Sequence, residues 1–451
     1  PTRIAHVRCA LALLAATVGC GDRSPTPASR DHVPKDASVP ASKPPPAAGA
    51  TIALAWSFGQ PPATSQGGPR MRDPNEPLPT GPAMIAAGDG RVAIATQDAC
   101  LELLDLATGK PLVKRACEKD AFALGIAIQD GVLVQAVRGE VRGRSLSDLA
   151  VLWTRKDLGN IRFQYQNMPQ AVGAAFCVVA DQGGSGVANV ACLAPRTGKT
   201  VGTIKADARS PIALGDQVIV VIEKDTARCY RPDAGVASET VLPGARVEAL
   251  RPLIQLRAGT NPTWSHRWIA PDGTPVGAVD GGKTMLRGGG LVGGALVTSD
   301  FGGARQGGDV VLALDPATGA EKWRTPLGAS GPYDPFFAGA GGKLYAAHFD
   351  RVASFDATTG AAGPSIAIAS EERAVWGDRV LLLVEAQETR SDSDVGDAGV
   401  HAIDMPTGTV LLRDDLGRDV PGGQQRSRPI IAGDTAVMIA RGQVRAYRMA
   451  Q

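Results

Sequence analysis

The stretch Val310-Val311-Leu312-Ala313-Leu314-Asp315-Pro316-Ala317-Thr318-Gly319-Ala320-Glu321-Lys322-Trp323 decides the fold. Its first five residues read as a strand of alternating apolar faces. Asp-x-x-Thr-Gly then makes a tight turn, and a second short strand carries a tryptophan. The turn has a plain physical basis. Asp315 accepts hydrogen bonds from backbone N–H groups two residues on, Pro316 presets φ, and Gly319 takes a positive φ without penalty.

Related turns stand at Asp105-Leu106-Ala107-Thr108-Gly109, Asp356-Ala357-Thr358-Thr359-Gly360 and Asp404-Met405-Pro406-Thr407-Gly408. Weaker copies begin at Ala194, Arg231 and Ala270, and Ser147-Asp148-Leu149-Ala150 runs into Val151-Leu152-Trp153. Index positions fall at 105, 147, 194, 232, 271, 315, 356 and 404, spaced by 38 to 48 residues. Each interval holds two further strand-like runs, such as Val218-Ile219-Val220-Val221-Ile222 and Val380-Leu381-Leu382-Leu383-Val384. Runs of Val, Ile and Thr cut by Gly-Asp or Gly-Gly cannot sustain the helices of a solenoid. Four strands per unit of 40–45 residues is the period of a β-propeller blade.

The count gives eight indexed units and a closing one. Two weak units between 194 and 271 also read as one blade with an insertion, so eight blades are expected, plus or minus one. Ile52-Ala53-Leu54-Ala55-Trp56-Ser57-Phe58 is a tryptophan-bearing strand with no first strand before it, and Val444-Arg445-Ala446-Tyr447 has none after it. Pairing these termini closes a ring. The fold class is all-β, with the propeller spanning 51–451.

Ala313, Asp315, Thr318, Gly319 and Trp323 together resemble the repeat of quinoprotein-type (PQQ-like) β-propellers. The resemblance implies that Trp323 docks on the neighbouring blade and ties the ring together, with Asp315 and Gly319 shaping its turn. It does not extend to the cofactor. The quinoprotein dehydrogenases hold their quinone against an adjacent-cysteine disulfide and a calcium ion, and this chain has no Cys-Cys pair and no compact acidic ligand set. No cofactor and no catalytic or metal residue is therefore expected.

The other chemistry is sparse. His32, His266, His348 and His401 are isolated, with none at metal-ligand spacing. The acidic loop Ser391-Asp392-Ser393-Asp394-Val395-Gly396-Asp397 has hard oxygens at alternating positions, but an EF-hand spacing is not met, and a solvated hairpin insertion is the alternative. Lys+Arg 47 against Asp+Glu 45 leaves a formal charge of +2, which argues against a nucleic-acid partner. Gly 55 and Pro 33 make about 20% of the chain, as many turns require, and aromatics are only 4%.

The N-terminal segment reads as export and anchoring. Arg3, His6 and Arg8 precede the apolar stretch 9–19, too short to span a bilayer, and Cys20 follows Gly19. Residues 1–19 thus resemble a lipoprotein signal peptide with Cys20 as the acylated residue, although Thr17 stands where that family prefers Leu. Residues 20–50 are rich in Pro, Ser and Ala and read as a flexible tether. Cys100 and Cys117 flank one strand–turn–strand unit, and Cys177 and Cys192 flank a hairpin at Gly183-Gly184. Either pair is a disulfide in an oxidising compartment or two buried thiols, as register decides. Cys229 has no obvious mate.

The reading is a non-catalytic, lipid-anchored envelope scaffold that docks other envelope proteins, facing the periplasm from the outer membrane. Anchor and repeat together resemble the outer-membrane assembly lipoproteins of the BamB type. The competing readings are a binder of carbohydrate or another small envelope ligand, and an enzyme on the same ring.

Overall fold

The computed structural model describes residues 51–59, 82–96, 98–118, 122–162, 168–181, 186–260, 263–300, 309–327, 336–347, 351–368, 372–386, 397–418 and 427–450. All lie within one compact unit, Pro45–Gln451. The signal segment 1–19, all of the tether 20–50, and with them Cys20, lie outside the described residues.

Among these residues nine antiparallel sheets follow one another along the chain. Blades 1 to 8 comprise residues 82–117, 125–155, 160–207, 212–241, 246–282, 286–326, 336–366 and 372–418. Blade 9 comprises 430–450 with Thr51–Phe58 as its outermost strand. That strand pairs antiparallel with Gln443–Ala450, setting Ile52 opposite Met449 and Trp56 opposite Ala446, so the two ends of the propeller close one sheet. Blade 3 departs from four strands. Its inner edge is split into Asn160–Ile161 and Gln170–Val172, both paired with Ala175–Asp181.

The blade number is nine, at the upper edge of the expected range. The weak units between 194 and 271 are two blades, because Ile212–Leu214 through Val236–Val241 and Arg246–Ala249 through Pro275–Gly282 each complete a sheet of four strands. Poor turn consensus masked an intact strand pattern.

The apolar core lies between blades. Nine buried clusters each join two consecutive blades, and the series runs from blades 1 and 2 round to blades 9 and 1. Middle strands are covered on both faces, so Val132–Val137 and Thr435–Ala440 are buried at every position. The same holds for residues 311–314 of Val310–Leu314, where alternation of faces was expected. Outermost strands do alternate, as in Thr200–Asp207, because only one face meets a neighbour. A fully buried Leu or Val contributes about 1.5–3 kcal/mol, so the stabilising burial depends on ring closure rather than on any blade alone.

One unit is shifted from its sequence reading. In blade 2 the turn closes from Leu149 N to Ser145 O at 3.1 Å, the bond that Gly319 N makes to Asp315 O at 2.8 Å. The copy therefore starts at Ser145, two residues before Ser147. No glycine marks it, since Leu149 itself adopts the left-handed backbone, with φ 61°. Its buried side chain packs between blades 1 and 2. The outer strand of blade 1 is only Ala116–Cys117 and offers no tryptophan, so leucine fills the gap from the other side.

Candidate functional site

Three tryptophans bind blade to blade in the same way. Trp323 of blade 6 donates its indole N–H to Ala357 O at 3.2 Å and lies flat on Gly360, where a Cβ would stand 2.5 Å from the ring. Trp56 of blade 9 does this to Leu106 O (2.9 Å) and Gly109, and Trp153 of blade 2 to Pro195 O (2.9 Å) and Gly198. Gly in the Asp-x-x-Thr-Gly turn thus serves twice: it takes positive φ and makes room for the neighbour's indole. Asp315 shapes its turn by accepting from the N–H groups of Ala317 and Thr318, both at 3.0 Å, and from Thr318 Oγ1 at 3.1 Å. These bonds hold its carboxyl below the usual range. Gly319 rests on Ala278 and Val279 of blade 5, whose outer strand Pro275–Gly282 carries no tryptophan.

The cysteines form two cross-strand disulfides. Cys100 stands directly opposite Cys117 in blade 1, and Cys177 opposite Cys192 in blade 3, and each pair is bonded. Cys229 is a free, buried thiol, pushed up by burial and so unreactive as a nucleophile. His266 and His401 are buried strand residues, while His32 and His348 lie outside the described residues. Of the acidic loop, residues 391–396 lie outside the described residues and Asp397 opens the strand Asp397–Asp404. Gly183 and Gly184 likewise lie outside.

Two places remain where the ring meets other molecules. The first is its centre. Asp216 follows the innermost strand of blade 4, Ile212–Leu214, and Arg251 follows that of blade 5, Arg246–Ala249. Arg251 Nε contacts both oxygens of Asp216 at 2.9 Å. Arg428, just before Ile430–Ala432 of blade 9, approaches Asp216 Oδ2 at 3.6 Å. Blades 4 and 9 share no interface, so this pair crosses the inside of the ring. Enclosure by protein pulls the Arg428 ionisation down, reinforced by the like charge of Arg251. The two guanidiniums hold the Asp216 carboxyl below its usual range despite burial. Sequence reasoning missed this cluster, since its members lie 35 and 212 positions apart and only ring closure brings them together.

The second is the outer rim. Val151 and Leu152 of blade 2, Val201 of blade 3, and Val236 and Val241 of blade 4 are 45–66% exposed on three consecutive outermost strands. Among the described residues the outward edges of these strands pair with no further strand, and exposed apolar groups beside a free edge suit an extended partner segment. All six tryptophans, by contrast, are buried or partly buried, and Phe122 is the one aromatic among the exposed large apolar side chains of the described residues.

Solved structures similar to the chain include BamB from Moraxella catarrhalis, 13% identical over 88% of this chain and 97% of that one, with a TM-score of 0.45. The quinohemoprotein alcohol dehydrogenase from Comamonas testosteroni is 10% identical over 88% and 76%, TM-score 0.44, and the dihydro-heme d1 dehydrogenase NirN is 14% identical over 76% and 76%, TM-score 0.43. Comparison with curated proteins gives no match. Residues 306–451, which hold the outer two strands of blade 6, the described parts of blades 7 and 8 and the C-terminal strands of blade 9, match the family model described as outer membrane protein assembly factor BamB, so this part of the chain is similar to a BamB-type, PQQ-like propeller.

Proposed function

We propose that this protein is a non-catalytic docking ring of the bacterial cell envelope, anchored through acylated Cys20 and facing the periplasm from the outer membrane. The observation that carries the reading is the rim of blades 2 to 4, where valines and a leucine stand exposed beside free strand edges. Monomeric surfaces scatter such residues singly, and their concentration on consecutive strands favours a protein partner. The match of 306–451 to the BamB family model supports a partner in the envelope. Two disulfides suit an oxidising compartment. The engagement of all six tryptophans in packing weighs against a carbohydrate platform, and the ion pairing of Asp216 weighs against its use as a general base.

The test is a pull-down of the tagged, detergent-extracted protein from its own envelope, with mass spectrometry of bait and co-purified proteins. Acylated Cys20 and a stoichiometric envelope partner are the expected result, with that partner lost in the Leu152→Lys, Val241→Lys double variant at unchanged thermal stability. An unacylated bait that returns alone, or a partner that the double variant retains, overturns the reading.

A further inference from the structure

We propose that Arg428 and Arg251 form a binding site for a small oxyanion, a carboxylate or a phosphate, at the centre of the ring. The argument starts from how unequally the two guanidiniums are satisfied. Arg251 takes both oxygens of Asp216 through Nε, and its Nη2 adds a further contact to Oδ1. Arg428 is held less closely: its Nη1 stands 3.6 Å from Asp216 Oδ2, an ion pair at the margin of hydrogen-bond reach. A guanidinium carries five N–H donors in a planar fork matched to two oxygens of one anion. Arg428 therefore keeps most of its fork for a further acceptor, beside a second cation and with one carboxylate shared between them.

The position strengthens the reading. The site draws on the adjoining blades 4 and 5 and on blade 9, which shares no interface with either, so it exists only in the closed propeller. The side chains of Arg251, Arg428 and Asp216 remain 34–42% exposed, so solvent reaches them inside the enclosure. Protein atoms surround them closely enough to depress the Arg428 ionisation, and Arg251 adds repulsion. A bound anion would relieve both effects. Glu372, on the innermost strand of blade 8, also acts on Arg428, more weakly than Asp216 does, so two carboxylates stand against the two guanidiniums. The site lies away from the rim of blades 2 to 4, so its failure and that of the docking reading are separable.

The probes are inorganic phosphate and malonate, titrated calorimetrically into the intact protein at low ionic strength and constant chloride. One saturable site for at least one probe is expected in the wild type. Arg428→Met should weaken binding tenfold or more, the scale of one or two charge-assisted hydrogen bonds. Asp216→Asn should tighten it several-fold, because the competing carboxylate is gone while both cations stay. Phosphate or malonate preference then tells which anion class the site takes. Absence of saturable binding in the wild type overturns the proposal, as does equal affinity in wild type and Arg428→Met. Should Arg428→Met fail to fold, as judged by circular dichroism, unchanged or weakened affinity in Asp216→Asn overturns it instead.

Discussion

His266 gives the sharpest quantitative expectation. It lies on Thr263–Ile269 of blade 5 with no exposed surface, stacked on Trp268 at 5.6 Å between ring centroids. Its Nε2 accepts from Leu286 N of blade 6 at 3.3 Å, and Nδ1 sits 3.3 Å from Gln255 Nε2. Burial, with the charges of Arg257 and Arg267, lowers its pKa to about 4, while a backbone hydrogen bond at Thr284 works the other way. The folded state therefore holds the neutral imidazole, and the unfolded chain takes up a proton at about pH 6.5. The unfolded state binds more protons between those values, so stability is full above pH 6.5 and declines as pH falls towards 4. At pH 5, some 1.5 units into that window, the loss is about 2 kcal/mol at 1.36 kcal/mol per unit. Urea unfolding of the wild type at pH 7.5 and pH 5.0, beside His266→Gln, isolates the effect. Glutamine does not titrate, so its loss over the same interval should be smaller by about 2 kcal/mol, whatever its stability at pH 7.5. His401 and the carboxylates are common to both proteins and cancel. Equal losses in the two proteins would refute the assignment of a buried neutral imidazole at the blade 5–6 interface.

Trp323→Ala should destabilise the ring by about 3 kcal/mol or more in denaturant unfolding, as buried aromatic truncations do, and unchanged stability would remove its blade-docking role. Gly360→Ala attacks the same contact from the other side: a Cβ at φ 72° costs about 1 kcal/mol for the backbone alone, and the displaced Trp323 ring adds to it. Replacing Cys100 and Cys117 by Ser opens a loop of 17 residues and should cost about 3 kcal/mol, read as a lowered urea midpoint. Mild reduction with alkylation and mass spectrometry should label this pair first, since Cys117 is exposed whereas Cys177 and Cys192 are buried. Asp105, Asp315 and Asp356 are all held below the ordinary carboxylate range by turn hydrogen bonds, so their contribution is present above about pH 4 and lost below it. The triple Asn variant should show a shallower acid limb than the wild type.

The sequence carried the propeller because its signals are local. Asp315, Thr318 and Gly319 must lie within five residues to close the turn, and Trp323 must follow four residues later to meet the next blade. Such spacings survive in one dimension, and they recur, whole or degraded, at the period of the blade. The two disulfides were legible for the same reason: each joins strands that adjoin through one short connection. The chain's own arithmetic even reached nine units. Where the turn chemistry weakened, in blades 2, 4 and 5, the reading slipped in register or wavered in count. Left-handed Leu149 and Ala234, standing where other copies have glycine, leave no compositional mark.

Everything that depends on closure had to await the tertiary structure. The pairing of Thr51–Phe58 with Gln443–Ala450 was inferable from two incomplete units, yet its register was not. The burial of residues 311–314 on both faces arises from blades on either side, not from their own pattern. The meeting of Asp216, Arg251 and Arg428 has no sequence signature, because each belongs to a different blade and none sits in a motif. Local hydrogen bonding and steric rules act over a few residues and are written in the order of the chain. The centre and rim of the ring are set by how nine sheets turn about one axis, and that geometry exists only once the last blade has met the first.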